Sequence, residues 1–136
     1  MNHAQRASAA YRTASMTVPP LHAVVMLYDG VLVRVRNAGI AAEQGDWARQ
    51  FDEINRAVDL LRGLLSALDY ERGGEVARRL QQTYEANMKA LMRSVGRQEA
   101  LEMSRRIEDG LRQLRNAWAQ IAGVPENPSP RAAVPG

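Results

Sequence analysis

Apolar side chains return at helical spacing in four stretches of this chain, and short polar or glycine-bearing breaks separate them. The second stretch is the most regular. Trp47, Phe51, Ile54, Val58, Leu61, Leu65 and Leu68 alternate in steps of four and three, which is a heptad seam. A second stripe, Ala57, Leu60, Leu64 and Ala67, lies beside it, open to widening the core contact or to facing a partner. The first stretch, over 20–42, places Leu21, Val24, Val25, Tyr28, Leu32 and Val35 on one stripe and Met26, Leu27, Val31 and Val33 on other faces. A helix so apolar around its girth should be the best-covered element.

The third stretch, over 75–95, carries Val76, Leu80, Tyr84, Met88, Leu91 and Val95, with Met92 alongside. The fourth, over 98–122, carries Leu101, Ile107, Leu111, Leu114, Trp118 and Ile121. The breaks have their own chemistry. Gly45 suits a left-handed helix end and Asp46 the next N-cap, residues 69–74 read as a turn, and Gly96 and Gly123 suit helix ends. Four amphipathic helices with short connections predict an all-α fold, an antiparallel up-down four-helix bundle over 19–124. Consecutive helices would be neighbours. Residues 1–18 read as a polar, Ala-rich N-terminal arm. Residues 125–136 hold four of the six prolines and read as a disordered tail.

Composition narrows the function. A chain of 136 residues with 46% hydrophobic residues fits one domain with one core. The absence of cysteine excludes disulfide and thiolate chemistry and permits a cytosolic home. Residues 1–15 lack the apolar run of a secretory signal, and no run of about 18 apolar residues is present, so a cytoplasmic protein that does not span a membrane is expected. The net charge of +3 comes from 18 basic and 15 acidic residues, the signs interspersed, and Lys89 is the one basic residue that is not Arg. The pairs Arg78-Arg79 and Arg105-Arg106 have acidic neighbours, among them Glu75, Glu102, Glu108 and Asp109. They read as solvated helix faces, and nucleic acid is not expected as a partner.

Catalytic and metal chemistry is likewise not expected. A di-iron bundle needs Glu-x-x-His pairs, and neither His3 nor His22 has an acidic residue three positions before it. Zinc-ligand clusters, a nucleophile elbow and a phosphate loop are all missing, and Gly73-Gly74 reads as a tight turn. The expectation is a binding protein without cofactors.

Four motifs then carry a resemblance. Met26-Leu27-Tyr28-Asp29-Gly30 is similar to the M-L-[YF]-[DN]-G signature of FliS proteins, and Glu43-Gln44-Gly45-Asp46 to that family's connection between its first two helices. Glu71-Arg72-Gly73-Gly74-Glu75-Val76-Ala77, with Leu80 and Tyr84 after it, resembles the family's G-G-E-[IV]-A pattern. Ala117-Trp118-Ala119-Gln120-Ile121 resembles its closing element. The motifs stand in the family's order over about 11–122. The chain departs from the pattern where Pro19 replaces the hydroxyl cap before Pro20, and where Glu85 and Ala86 replace an aromatic.

The resemblance implies a four-helix flagellin export chaperone. Such a protein binds the disordered C-terminal segment of flagellin in an apolar groove, prevents premature polymerisation and assists type III flagellar export. Leu60, Leu64, Tyr84, Met88 and Leu91 are the candidate groove residues, and Tyr11 and Met16 the candidate anchors of an arm that plugs the groove. Met26, Leu27, Tyr28, Asp29, Gly30, Gly73 and Gly74 are read as mainly structural, with Tyr28 burying its ring, Asp29 accepting hydrogen bonds or pairing with an Arg, and Gly30 allowing a close helix approach. An export-gate component and an anti-sigma factor are further candidate partners, and a homodimer is a candidate free state. Three rival readings remain beside this one: a self-associating helical adaptor, a nucleic-acid-binding regulator and a paralogous chaperone for another export substrate.

Overall fold

The computed structural model describes residues 20–128. The arm with its proposed anchors Tyr11 and Met16, and the tail beyond Pro128, lie outside the described residues. Four helices follow one another: α1 (Pro20–Glu43), α2 (Trp47–Ser66), α3 (Tyr70–Arg93) and α4 (Ala100–Ala122). Consecutive helices pack together as expected from the short connections, and α1 also lies along α4, which closes the bundle. The packing is unequal. Helix α1 meets α2 and α4 extensively, whereas α3 touches its two neighbours far more sparsely.

Local chemistry accounts for the helix ends. Gly45 takes a φ of 73° after α1, and the Asp46 carboxylate accepts from the Arg49 N–H at the start of α2. The segment expected to be a turn before the third helix is itself helical for one turn. Asp69 caps it by accepting from the Arg72 N–H, so α3 begins at Tyr70 and not at residue 75. The glycine pair then bends it. Gly74 has φ 48° and ψ −122°, a conformation closed to other residues at low cost, and a Cβ on Gly73 would stand 2.8 Å from the Ala77 Cβ.

The core runs through Tyr28, Val31, Val35, Ile54, Leu61, Leu91 and Leu111, all nearly without exposure. Helix α1 is well covered on its stripe, but Met26, Val33 and Ile40 are exposed in a row along it. In α2 the core straddles both sequence stripes, taking Ile54, Ala57, Val58, Leu61 and Leu64. Trp47 and Phe51, which open the heptad seam, are instead exposed, at 41% and 54%. Polar residues take the inward positions at that level. Gln50 is fully buried, donating to Ser94 O at 2.9 Å and accepting from the Gly96 N–H at 3.1 Å. Glu53, also buried, accepts from Arg34. Gln50 thus fastens the start of α2 to the end of α3.

Charges join α1 to α4. Arg115 donates through Nε and Nη2 to both carboxylate oxygens of Asp29, at 2.7 and 3.2 Å, the second of the two alternatives read for Asp29. Glu108, read from the sequence as part of a solvated face, is only 3% exposed and accepts from Arg36 and Arg112. Two glycines of α1 set helix approach distances. A Cβ on Gly30 would lie 3.2 Å from the Leu60 Cδ1, and one on Gly39 would lie 2.9 Å from the Ser104 Cβ.

Candidate functional site

An up-down bundle brings the start of α1, the end of α2, the start of α3 and the end of α4 to one pole. An open apolar cleft of about 510 Å³ lies there. Leu21 and Val24 come from α1, Leu64 from α2, Val76, Leu80 and Tyr84 from α3, and Trp118 from α4, while Leu68 comes from the connection after α2. Val76 is 63% exposed, so the wall supplied by α3 presents bare hydrocarbon to solvent. Polar groups are confined to the rim, where Asp69 and Arg72 sit as an exposed pair.

Sparse packing of α3 explains why a cleft exists. This helix fully buries Ala77, Tyr84 and Leu91, and Leu80 and Met88 are only partly covered. The Gly74 bend lies at the mouth, and Gly73 and Ala77 both face the cleft. A side chain at Gly73 would press on Ala77, so the motif's glycines shape the mouth through backbone geometry.

Tyr84 forms the floor, and Tyr28 lies behind it in the core. Tyr28 and Tyr84 are buried, their rings 6.2 Å apart between centroids, and their hydroxyls hydrogen-bond each other at 2.5 Å. Burial drives the Tyr28 hydroxyl far above the ordinary tyrosine range. The bond to Tyr84 reinforces the shift, while the neighbouring Trp118 side chain opposes it. Burial raises the Tyr84 hydroxyl too, partly offset by its bond to Tyr28. Both phenols therefore stay neutral at physiological pH. The pair satisfies two polar atoms that would otherwise stand unbonded beneath an apolar surface.

The candidate groove residues separate by position. Leu64 and Tyr84 line the cleft. Met88 and Leu60 are partly buried against the core, with Leu60 covering Gly30, and Leu91 is fully enclosed. Among the signature residues, Met26 is exposed, Leu27 partly covered and Tyr28 buried. Sequence reasoning did not gather Leu21, Val24, Leu68, Val76, Leu80 and Trp118 into one site. The signal was available in the topology, since alternate helix ends must meet at one pole.

Among the described residues no cluster of three or more His, Cys, Asp or Glu can hold a metal, and no helix is long and apolar enough to cross a membrane. The arrangement offers a hydrophobic surface with a polar rim, suited to binding an apolar helix face.

Comparison with known proteins agrees in kind. The family model described as "Flagellar protein FliS" matches residues 1–125. The flagellar secretion chaperone FliS of Salmonella typhimurium is 29% identical over 117 residues, covering 85% of this chain and 86% of that protein. The protein of the same name from Vibrio cholerae is 28% identical over 102 residues, covering 75% and 74%. A third, from Campylobacter jejuni, is 32% identical over 72 residues, covering 53% and 56%. With the bundle, the motif geometry and a match along nearly its whole length, this chain belongs to the FliS family of flagellar secretion chaperones.

Proposed function

We propose that this protein binds the C-terminal segment of flagellin in the polar-rimmed apolar cleft, in the cytoplasm, and keeps it from polymerising before type III flagellar export. The cleft is the observation that carries the reading. It is open, lined by aliphatic and aromatic groups from all four helices, and bounded on one side by the helix with the least packing. An amphipathic segment that folds as it binds needs such a groove, because burial of its apolar face offsets its loss of conformational freedom. Membership of a family whose relatives are named secretion chaperones supports the same reading. The arm enters at Pro20, a cleft-lining residue, so an arm that covers the cleft through Tyr11 and Met16 until the client displaces it is part of the proposal.

Calorimetry with the C-terminal segment of the flagellin from the same genome tests it. The expected result is one-to-one binding with a negative heat-capacity change. Val76→Asp, at an exposed cleft position, should weaken binding by about tenfold or more and leave the melting temperature unchanged. No heat at several temperatures from folded protein would remove flagellin as the client.

A further inference from the structure

Helix α1 presents a second face, away from the cleft, that forms a seam with α4. The seam carries donors without acceptors. Ser104 Oγ and Arg112 Nε are buried, their residues 2% and 5% exposed, and have no hydrogen-bond partner among the described residues. Both lie on one face of α4, about two turns apart. Two cavities of about 220 Å³ each adjoin them. One is walled by Val33, Arg36, Arg112 and Asn127, the other by Ile40, Leu101 and Ser104.

The chain's own continuation enters the first cavity. Gly123, at φ 73°, turns it back after α4. Arg115 Nη1 then donates to Pro125 O at 2.7 Å. The Asn116 side chain grips Asn127 at two points, accepting from its N–H at 2.8 Å and donating to its carbonyl at 3.0 Å. Gly123 to Pro125 lie beside His22 and Met26 and Asn127 beside Arg36 and Arg112, so this non-helical stretch runs antiparallel to α4, with its carbonyls on α4 donors. The described residues end just beyond it, at Pro128.

We propose that residues 129–136, Ser-Pro-Arg-Ala-Ala-Val-Pro-Gly, are the occupant of the rest of this seam, continuing the strand toward Leu101 and Ile40. The lengths agree. From Asn116, which holds Asn127, to Leu101, α4 rises about 22 Å at about 1.5 Å per residue. A polyproline strand advances about 3.1 Å per residue, so about seven residues past Asn127 cover that rise. Val134 then arrives level with Leu101 and with Ile40, which is 46% exposed. The hydrogen-bond chemistry agrees too. Prolines 128, 130 and 135 bring carbonyl acceptors and no N–H, and the unpartnered Arg112 Nε is a donor that needs an acceptor. The seam is distinct from the cleft, and this assignment does not depend on the identity of the client.

The chain has no cysteine, so Val134→Cys with a nitroxide gives a single spin label on the full chain. In ¹⁵N spectra of that chain, diluted into unlabelled protein, the amides of Gly39, Ile40, Leu101 and Ser104 should lose most of their intensity relative to the reduced sample. Ile40→Asp, an exposed change that leaves the core intact, should restore it. Three results would overturn the proposal. Signal loss absent from the seam would leave it bare, and loss centred on Leu68 and Val76 would put the tail in the cleft. Loss seen only when spin-labelled ¹⁴N chain is mixed with unlabelled ¹⁵N chain would make the occupant a second copy.

Discussion

Helices α1 and α3 are equally long, yet they stand in opposite relations to the rest of the molecule. Helix α1 has two well-packed neighbours, buries nine residues, and is tied to α4 by Asp29–Arg115 and Arg36–Glu108. Helix α3 buries three residues, bends at Gly74 and leaves Val76 and Met92 bare. The contrast teaches that one side of the bundle supplies stability so that the other can remain incompletely packed. A hydrophobic cleft cannot be filled from within and still receive a partner.

Breaking the α1–α4 side should have the largest effect. Glu108→Ala removes the 2.7 Å partner of the buried Arg112 and leaves it the longer 3.3 Å contact with Asp109, and truncating one member of a buried pair costs up to about 3–5 kcal/mol, read by urea denaturation. Core truncation sharpens the contrast. Leu61→Ala should cost about 2–5 kcal/mol, and Leu80→Ala, at the half-covered cleft wall, should cost clearly less. The two close glycines should part company. Gly39→Ala forces a 2.9 Å contact between Cβ atoms and should cost about 1–3 kcal/mol despite the better helix former. Gly30→Ala meets the movable end of Leu60, and a helix-propensity gain of up to about 1 kcal/mol should offset the crowding.

Alkali addresses the floor of the cleft. Tyrosines in the unfolded chain titrate near pH 10, whereas burial holds Tyr28 and Tyr84 protonated in the fold above that point. Below about pH 10 neither state loses these protons and stability is unaffected. Above it the unfolded state binds fewer protons than the native state. Stability should then fall by up to about 1.4 kcal/mol per pH unit for each group, and the double Phe variant should flatten that slope. The smallest perturbation is none at all. In hydrogen exchange of the unmodified protein, α3 amides near Gly74 should exchange faster than those in the middle of α1.

Much of the fold was legible in the sequence because periodicity and caps act locally. The apolar spacing set four helices, and Gly45 and Asp46 set the first boundary. Asp29 as an Arg partner was also readable in kind. What escaped was long-range. The Trp47–Phe51 part of the α2 seam looked inward by spacing, but Gln50 and Glu53 go in, because each finds polar partners on another element. Glu108 looked solvated because its partner Arg36 lies 72 residues away. Of the residues singled out for a groove, Leu64 and Tyr84 lie at the cleft but are themselves nearly fully buried, Leu91 is enclosed away from it, and the exposed apolar surface there comes from Val76. A stripe tells which face is apolar, and the position along the bundle tells whether that face is covered.

The Gln50 anchor makes α3 a cantilever. Its far end is clamped through Ser94 and Gly96, and its near end, beside Gly74, carries the cleft wall. The arm from Gly74 to the clamp at Ser94 is about 20 residues and about 30 Å long, so a tilt of about 5° at the clamp moves the mouth by about 2.5 Å. The aperture is therefore adjustable in small increments. Under the proposed function, leverage of this kind would let one bundle seat apolar faces of different bulk without remaking its core.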